Sequence, residues 1–475
     1  MTPGLGAVVG GIVDPRCEKS GRVRGMSNPL VIGLLSFVLA PAASGQADET
    51  PDETRMSPEI GAEATPPPPP EIDAPAVESE DVDAAVLASV AFLLKRQEGP
   101  TRAEWPYQGV YRVSATDDDP ESLIEGRGRR RSVIPIGYRV GGTSIVGDAL
   151  LRVPGCDADV DRREALERAR RFVVDSTRHP NMNPEYGGGY DVRGWGYIYG
   201  GDFLLSMRER GFVPEDAAAA HDDAIRFYLD GLAAIEIPRV GGWNYARRGP
   251  LAAPSGTSPF MTPPGIQVLV EAERQGFPVK AGMRDRAMKA IDLTIGEDGV
   301  VAYSAQRKTR ESPEMIPGAM GRMLAVETVR HDAGVENEDA IRKALAAFVT
   351  HWDELLKRKQ KTGTHVAPYG VAPYYFFYAH GYAAEAIERL PEVERGAWRD
   401  RLHRLLMSVR DEDGTWNDRV FPRSAAYGTA VTVLALTEPA YTARPLAVVP
   451  PPVIVGASDA DADPDEAPTP ATDDR

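Results

Sequence analysis

Between residues 83 and 438 the apolar positions recur at the three-to-four spacing of helices, in two alternating kinds of segment. One kind is amphipathic. In 398–409, Trp398, Leu402, Leu405, Leu406 and Val409 fall on one face. The other kind is small and apolar nearly all round, as at Ala425, Ala426, Gly428, Ala430, Val431, Val433, Leu434 and Ala435, the composition of a helix enclosed by other helices. A tight Asp-Gly turn with one large aromatic, Trp416, joins the two.

This unit is traced six times. Helix 83–97 (Val86, Val90, Leu93, Leu94) leads through Trp105 and a polar insertion, 112–136, to an inner helix near 141–152. Helix 160–176 leads to one starting near Trp195. Helix 216–234 leads through Trp243 to one opened by Pro263 and Pro264, where proline's missing N–H costs nothing. Helix 280–295 leads through Tyr303 to one after Pro313. Helix 337–357 leads through Tyr369 to helix 373–389, and 398–437 is the sixth unit. The aromatic anchors are Trp105, Tyr190, Trp243, Tyr303, Tyr369 and Trp416, and no alternating strand pattern competes. Six pairs close a ring, so the expected fold is all-α, an α6/α6 toroid over 82–440. An open solenoid would require polar caps, and the last inner helix is almost wholly apolar.

Composition then narrows the picture. The 475 residues carry a net charge of −16, but the acid lies at the ends, about −10 in 46–81 and about −6 in 458–475. The helical body is near neutral, which offers no electrostatic footprint for nucleic acid. The acidic, proline-rich stretches 46–81 (with Pro66–Pro70) and 441–475 are expected to be disordered. Residues 30–43 form a short apolar run after Met26, with Ala43 and Gly45 spaced for cleavage before Gln46. Residues 1–45 are therefore expected to be a signal-peptide region, with Met26 the more natural start and the protein exported to the periplasm or the extracellular space. No transmembrane segment is expected after its removal. Cys17 and Cys156 are too few for a metal cluster, and the seven histidines show no paired spacing, so neither metal nor cofactor is expected.

Phe92, Leu93, Gln97, Gly99 and Trp105, and more closely Leu405, Leu406, Asp413, Gly414 and Trp416, resemble the repeat of the terpenoid cyclase and protein prenyltransferase superfamily. Arg410 stands where that repeat has Gln. The resemblance implies the double ring, but the catalytic positions do not carry over. The body's Asp cluster, Asp117, Asp118 and Asp119, lacks the Asp-x-Asp-Asp spacing, precedes Pro120 and reads as a solvated loop. Cys156 lies in a Pro-Gly loop, not on an inner helix, and no Gly-Cys-Gly-Glu-Gln run exists.

Four constellations remain. Tyr374, Tyr378 and Tyr382 share a helix face near His380, where Tyr378 and His380 are the candidate acid/base pair; tyrosines filling the barrel are the plainer reading. Trp195, Tyr197, Tyr199 and Asp202 follow a glycine-rich stretch and suit stacking on a ring, although the glycines also suit close packing. Asp148, Asp202 and Glu314 are inner-helix acids that a glycosidase pair would need. Arg127, Arg129, Arg130 and Arg131 form a loop cluster able to grip phosphate, or merely exposed. The expected ligand-binding residues are Trp195, Tyr199, Asp202, Tyr374, Tyr378 and His380.

Together these favour an exported toroid acting by ligand or partner binding in or around the ring, without cyclase or prenyltransferase chemistry. An extracytoplasmic polysaccharide lyase or hydrolase is the alternative, and a terpene cyclase the third reading.

Overall fold

The computed structural model describes residues 67–185, 192–244, 251–253, 255–304, 315–444 and 446–453. Thirteen α-helices occur among them. The outer set is α1 (Ser79–Arg96), α3 (Val160–Asp175), α5 (Ala218–Ile235), α7 (Met283–Asp292), α9 (Glu338–Thr350) with the short α10 (Trp352–Leu356), and α12 (Glu392–Ser408). The inner set is α2 (Ile136–Arg152), α4 (Arg193–Glu209), α6 (Thr262–Arg274), α8 (Ile316–Asp332), α11 (Tyr375–Glu388) and α13 (Ser424–Thr442). Inner helices pack in the order α2, α4, α6, α8, α11, α13, and α13 packs back on α2. Each outer helix lies on the inner helix before it, and α1 lies on α13. That last contact closes the ring, so the fold is an α6/α6 toroid and not an open solenoid.

The two kinds of segment bury different fractions of their surface. Helix α2 buries every residue except Tyr138 and Arg152, whereas amphipathic α12 buries only Trp398, Leu402, Leu405 and Leu406. Three tryptophans join the rings in the same way. The indole of Trp105 donates to the Leu93 carbonyl at 2.7 Å, that of Trp243 to Leu232 at 2.9 Å and that of Trp416 to Leu406 at 2.8 Å. Each acceptor lies in the last turn of an outer helix, whose carbonyls lack helical partners. Each tryptophan also donates its backbone N–H to an inner-helix threonine: Thr143 at 2.9 Å, Thr262 at 3.0 Å and Thr429 at 3.1 Å. Close approach requires glycine here. A Cβ on Gly265 would stand 2.6 Å from the Trp243 ring. Tyr303 and Tyr369 remain half-buried, and Tyr190 lies outside the described residues.

Two expectations are corrected. The polar insertion carries a small antiparallel sheet, in which β3 (Ser132–Val133) pairs with both β1 (Val113–Ser114) and β2 (Ile124–Glu125). Strands of two residues leave no alternating pattern to read. Asp117 and Asp118 are exposed as expected of a solvated loop, but Asp119 is buried. It accepts from Arg139 at 3.0 Å, and Arg139 also binds both Glu104 oxygens, at 2.7 and 3.0 Å.

Parts of the segments expected to be disordered lie against the ring. Arg404 donates to the carbonyls of Ala74 at 2.9 Å and Pro75 at 3.1 Å. Beyond α13, the Val453 N–H donates to Asp222 at 2.7 Å, and Arg208 donates to the Pro450 carbonyl. Extended proline-rich backbone has no internal hydrogen bonds, and these arginine and aspartate side chains supply partners. The region 1–45 lies outside the described residues. No described helix is long and apolar enough to cross a membrane.

Replacing Thr429 with Val strands the buried Trp416 N–H. The variant is expected to lose about 1–3 kcal/mol of stability in urea unfolding, while an exposed substitution such as Glu392→Gln leaves the midpoint unchanged.

Candidate active site

The axis of the ring is divided into two halves by aromatic side chains. At the N-terminal ends of the inner helices, Tyr107 packs edge-on to Tyr138 (centroids 5.5 Å) and Tyr427 (4.8 Å) and tilts against Trp195 (5.2 Å). Phe260 stacks on Tyr378 at 4.0 Å. Among these rings and Arg419 only a space of about 50 Å³ remains. Tyr107 donates to Asp418 at 3.0 Å, and burial pushes that carboxyl up to about 7.

Beyond this layer, between the C-terminal halves of the inner helices, lies a cavity of about 610 Å³. Helical spacing places its polar walls. Helix α2 contributes Asp148 and Arg152, α4 Tyr199 and Asp202, α6 Gln267, α8 Asp332, α11 Tyr378, Tyr382, Glu385 and Arg389, and α13 Glu438 and Tyr441. Arg152 pairs with Asp148 at 2.8 Å and Glu438 at 3.1 Å, beneath the Tyr441 ring at 3.6 Å. Gln267 donates to Glu385 at 2.6 Å and accepts from Tyr382 at 3.0 Å. Arg389 pairs with Asp332 at 2.9 Å.

Several oxygen groups on these walls are left over. The Tyr378 hydroxyl, Ser144 Oγ and Asp148 Oδ1 are buried without a hydrogen-bond partner. Tyr378 is 5 % exposed and Asp148 4 %. Asp202 has no hydrogen-bonding or ion-pair partner among the described residues. Burial, with Asp148 adding repulsion and Arg152 opposing, pushes Asp202 up to about 8. Burial likewise raises Glu385, and lifts Glu438 to about 7. A desolvated carboxyl beside a second carboxyl keeps its proton near neutral pH, the state a proton donor needs.

Of the residues singled out from sequence, Tyr199, Asp202 and Tyr378 line this cavity, as does Asp148. Trp195 belongs to the aromatic layer, and Tyr374 borders its small space, with its hydroxyl 3.3 Å from His365 Nε2. His380 faces away. It follows Tyr378 by two residues, about 200° around the helix, and is fully enclosed. Its Nε2 accepts from the Trp352 indole at 2.9 Å, so Nδ1 carries the hydrogen and donates to the Phe376 carbonyl at 2.7 Å. Burial pulls it down to about 4, a neutral imidazole bonded at both nitrogens. The expected Tyr378–His380 acid/base pair is therefore not assembled. Glu314, Tyr190 and the glycine-rich 187–189 lie outside the described residues. In the arginine loop Arg131 pairs with Glu121 at 3.0 Å, while Arg127 and Arg130 are exposed. Burial raises the Cys156 thiol to about 11.

Gln267, Glu385 and Glu438 were not singled out from sequence. Glu385 had a legible signal, since it continues the Tyr378–Tyr382 face at the next helical turn. Glu438 is a lone acid in an apolar helix, which only the neighbouring Arg152 explains.

No protein-family model matches the chain, and no curated protein matches it. Similar solved structures include the unsaturated glucuronyl hydrolase from Streptococcus agalactiae, at 11% identity and a TM-score of 0.49 over 79% of this chain and 95% of that one. A D-mannose isomerase is similar at 12% identity and a TM-score of 0.44, over 77% and 98%. An inactive α-1,6-mannanase of Salegentibacter sp. in complex with α-1,6-mannotriose is similar at 9% identity and a TM-score of 0.44, over 75% and 100%. These are not terpenoid cyclases or prenyltransferases, and they overturn the family resemblance drawn from the aromatic turns. The tryptophan turn is a way of joining two helical rings and does not by itself mark a lineage.

The raised carboxyls set the direction of the pH dependence. An unfolded Asp202 loses its proton near pH 4, while the folded one keeps it to about 8, so its contribution to stability is lost as pH rises across that window. Asp202→Asn is expected to raise Tm more at pH 8 than at pH 4; an equal change at both values would contradict the raised state.

Proposed function

We propose that this toroid is a carbohydrate-active enzyme that hydrolyses glycosidic bonds of an oligosaccharide held in the central cavity. The observation that carries this reading is Asp202, a carboxyl that keeps its proton to about pH 8, faces an open cavity and stands near a second carboxylate, Asp148. In this reading Asp202 donates its proton to the glycosidic oxygen as the bond to the anomeric carbon breaks. Asp148, with Oδ1 unsatisfied, takes the proton of the attacking water or stabilises the positive charge developing on the sugar. Tyr199, Tyr378 and Tyr382 add aromatic surface to the wall of the cavity. A cavity of about 610 Å³ falls within the usual ligand-pocket range of about 300–1,000 Å³. Export, read from residues 30–45, would place the enzyme with extracytoplasmic glycans.

A second reading, binding without turnover, draws on the aromatic layer, whose described rings leave a space of only about 50 Å³ at one end of the cavity. One variant separates the two. On an oligosaccharide that the wild type cleaves, Asp202→Asn is expected to lower kcat by about 10²–10⁴-fold while calorimetric affinity is retained. Wild-type turnover is expected to fall as pH rises through about 8, where Asp202 loses its proton. Binding with no cleavage of any oligosaccharide by the wild type would favour the second reading.

A further inference from the structure

The charge arrangement of the cavity bears on the kind of sugar it takes, an inference that rests on the reading of the cavity as a saccharide site. Its arginines are already engaged. Arg152 lies between Asp148 and Glu438, and Arg389 pairs with Asp332 at 2.9 Å and stands 3.8 Å from Glu385. At the rim, Arg284 is 2.5 Å from Glu273. An incoming carboxylate would meet no unengaged guanidinium on these walls.

The unsatisfied groups include an anionic acceptor. Asp148 Oδ1 borders the cavity without a partner, as do the Tyr378 hydroxyl and Ser144 Oγ, which can accept as well as donate, each on a side chain more than nine-tenths buried. Asp202 lies there with no hydrogen bond among the described residues. The backbone adds to this bias. The inner helices are parallel, so their C-terminal ends, which carry partial negative charge, surround the same space.

We propose that the cavity selects a sugar bearing a protonated amine, of the glucosamine type, and excludes uronic acids, with the ammonium seated at Asp148, beside Asp202. An ammonium brings three donors and no acceptor, matching the oxygens left over. Its pairing with a desolvated carboxylate is stronger than a neutral hydrogen bond. A uronate would set like charges side by side at Asp148 and leave its Oδ1 unsatisfied. N-acetylation removes the charge and the match.

The test is calorimetric binding to the full chain of three tetramers: glucosamine, N-acetylglucosamine and galacturonate. The glucosamine tetramer is expected to bind at least about tenfold tighter than its N-acetylated counterpart, the equivalent of about 1.4 kcal/mol, with the galacturonate tetramer not binding. Asp148→Asn and Asp148→Ser are each expected to reduce that ratio toward unity, and either suffices if the other fails to fold. Equal or reversed affinities among tetramers that bind would overturn the charge preference and leave the saccharide reading standing. A preference unchanged in both variants would also overturn it. Binding of none of the three would remove the saccharide reading and this inference together.

Discussion

The indole hydrogen bond at the end of an outer helix is the constraint on which the rest of the ring depends. An outer helix leaves its last carbonyls without partners, and Trp105, Trp243 and Trp416 each fill one of those vacancies from the following turn. The same residue's backbone N–H is held by a threonine on the inner helix. One side chain therefore fixes where an outer helix stops and where the next inner helix stands. Repeated around the chain, the arrangement brings α13 beside α2 and α1 onto α13, and the ring closes.

Closure imposes a division of labour along each inner helix. All six run the same way, so one end of every inner helix meets the axis beside the long connections and the other beside the short ones. The first end is packed with tyrosine, tryptophan and phenylalanine, which fill the axis and bury large areas. The second end carries acids and arginines around open space. Asp202, Glu385 and Glu438 in that cup are poorly hydrated, and burial raises all three above the ordinary carboxyl range. Electrostatics and shape thus follow from the same packing.

Much of this was legible in the sequence. The alternation of amphipathic and enclosed segments marked the helix pairs, and the apolar run from Ala425 to Ala435 pointed to closure. Asp148 and Asp202 stood out as acids on helices with few polar residues. What the pattern could not carry was direction around a helix at close quarters. Tyr378 and His380 are neighbours in sequence, yet one faces the cavity and the other lies between Trp352 and Phe376. Glu438 is a lone acid in an apolar helix, and its partner Arg152 lies 286 residues away in the chain, beyond the reach of any local pattern. The small sheet of the insertion and the docking of 446–453 depend on single hydrogen bonds that leave no periodic trace. The tryptophan turn, finally, spoke for ring geometry and not for the family whose repeat it resembles.

The proposed chemistry of the cavity stands or falls with an Asp202 that holds its proton near neutral pH. A pH-difference infrared spectrum, comparing the wild type with Asp202→Asn, reads this directly through the carboxylic acid band that the substitution removes. The account predicts a band that persists through pH 7 and disappears with a midpoint near 8. A midpoint near 4, the ordinary aspartate value, would contradict the account and with it the role of Asp202 as proton donor.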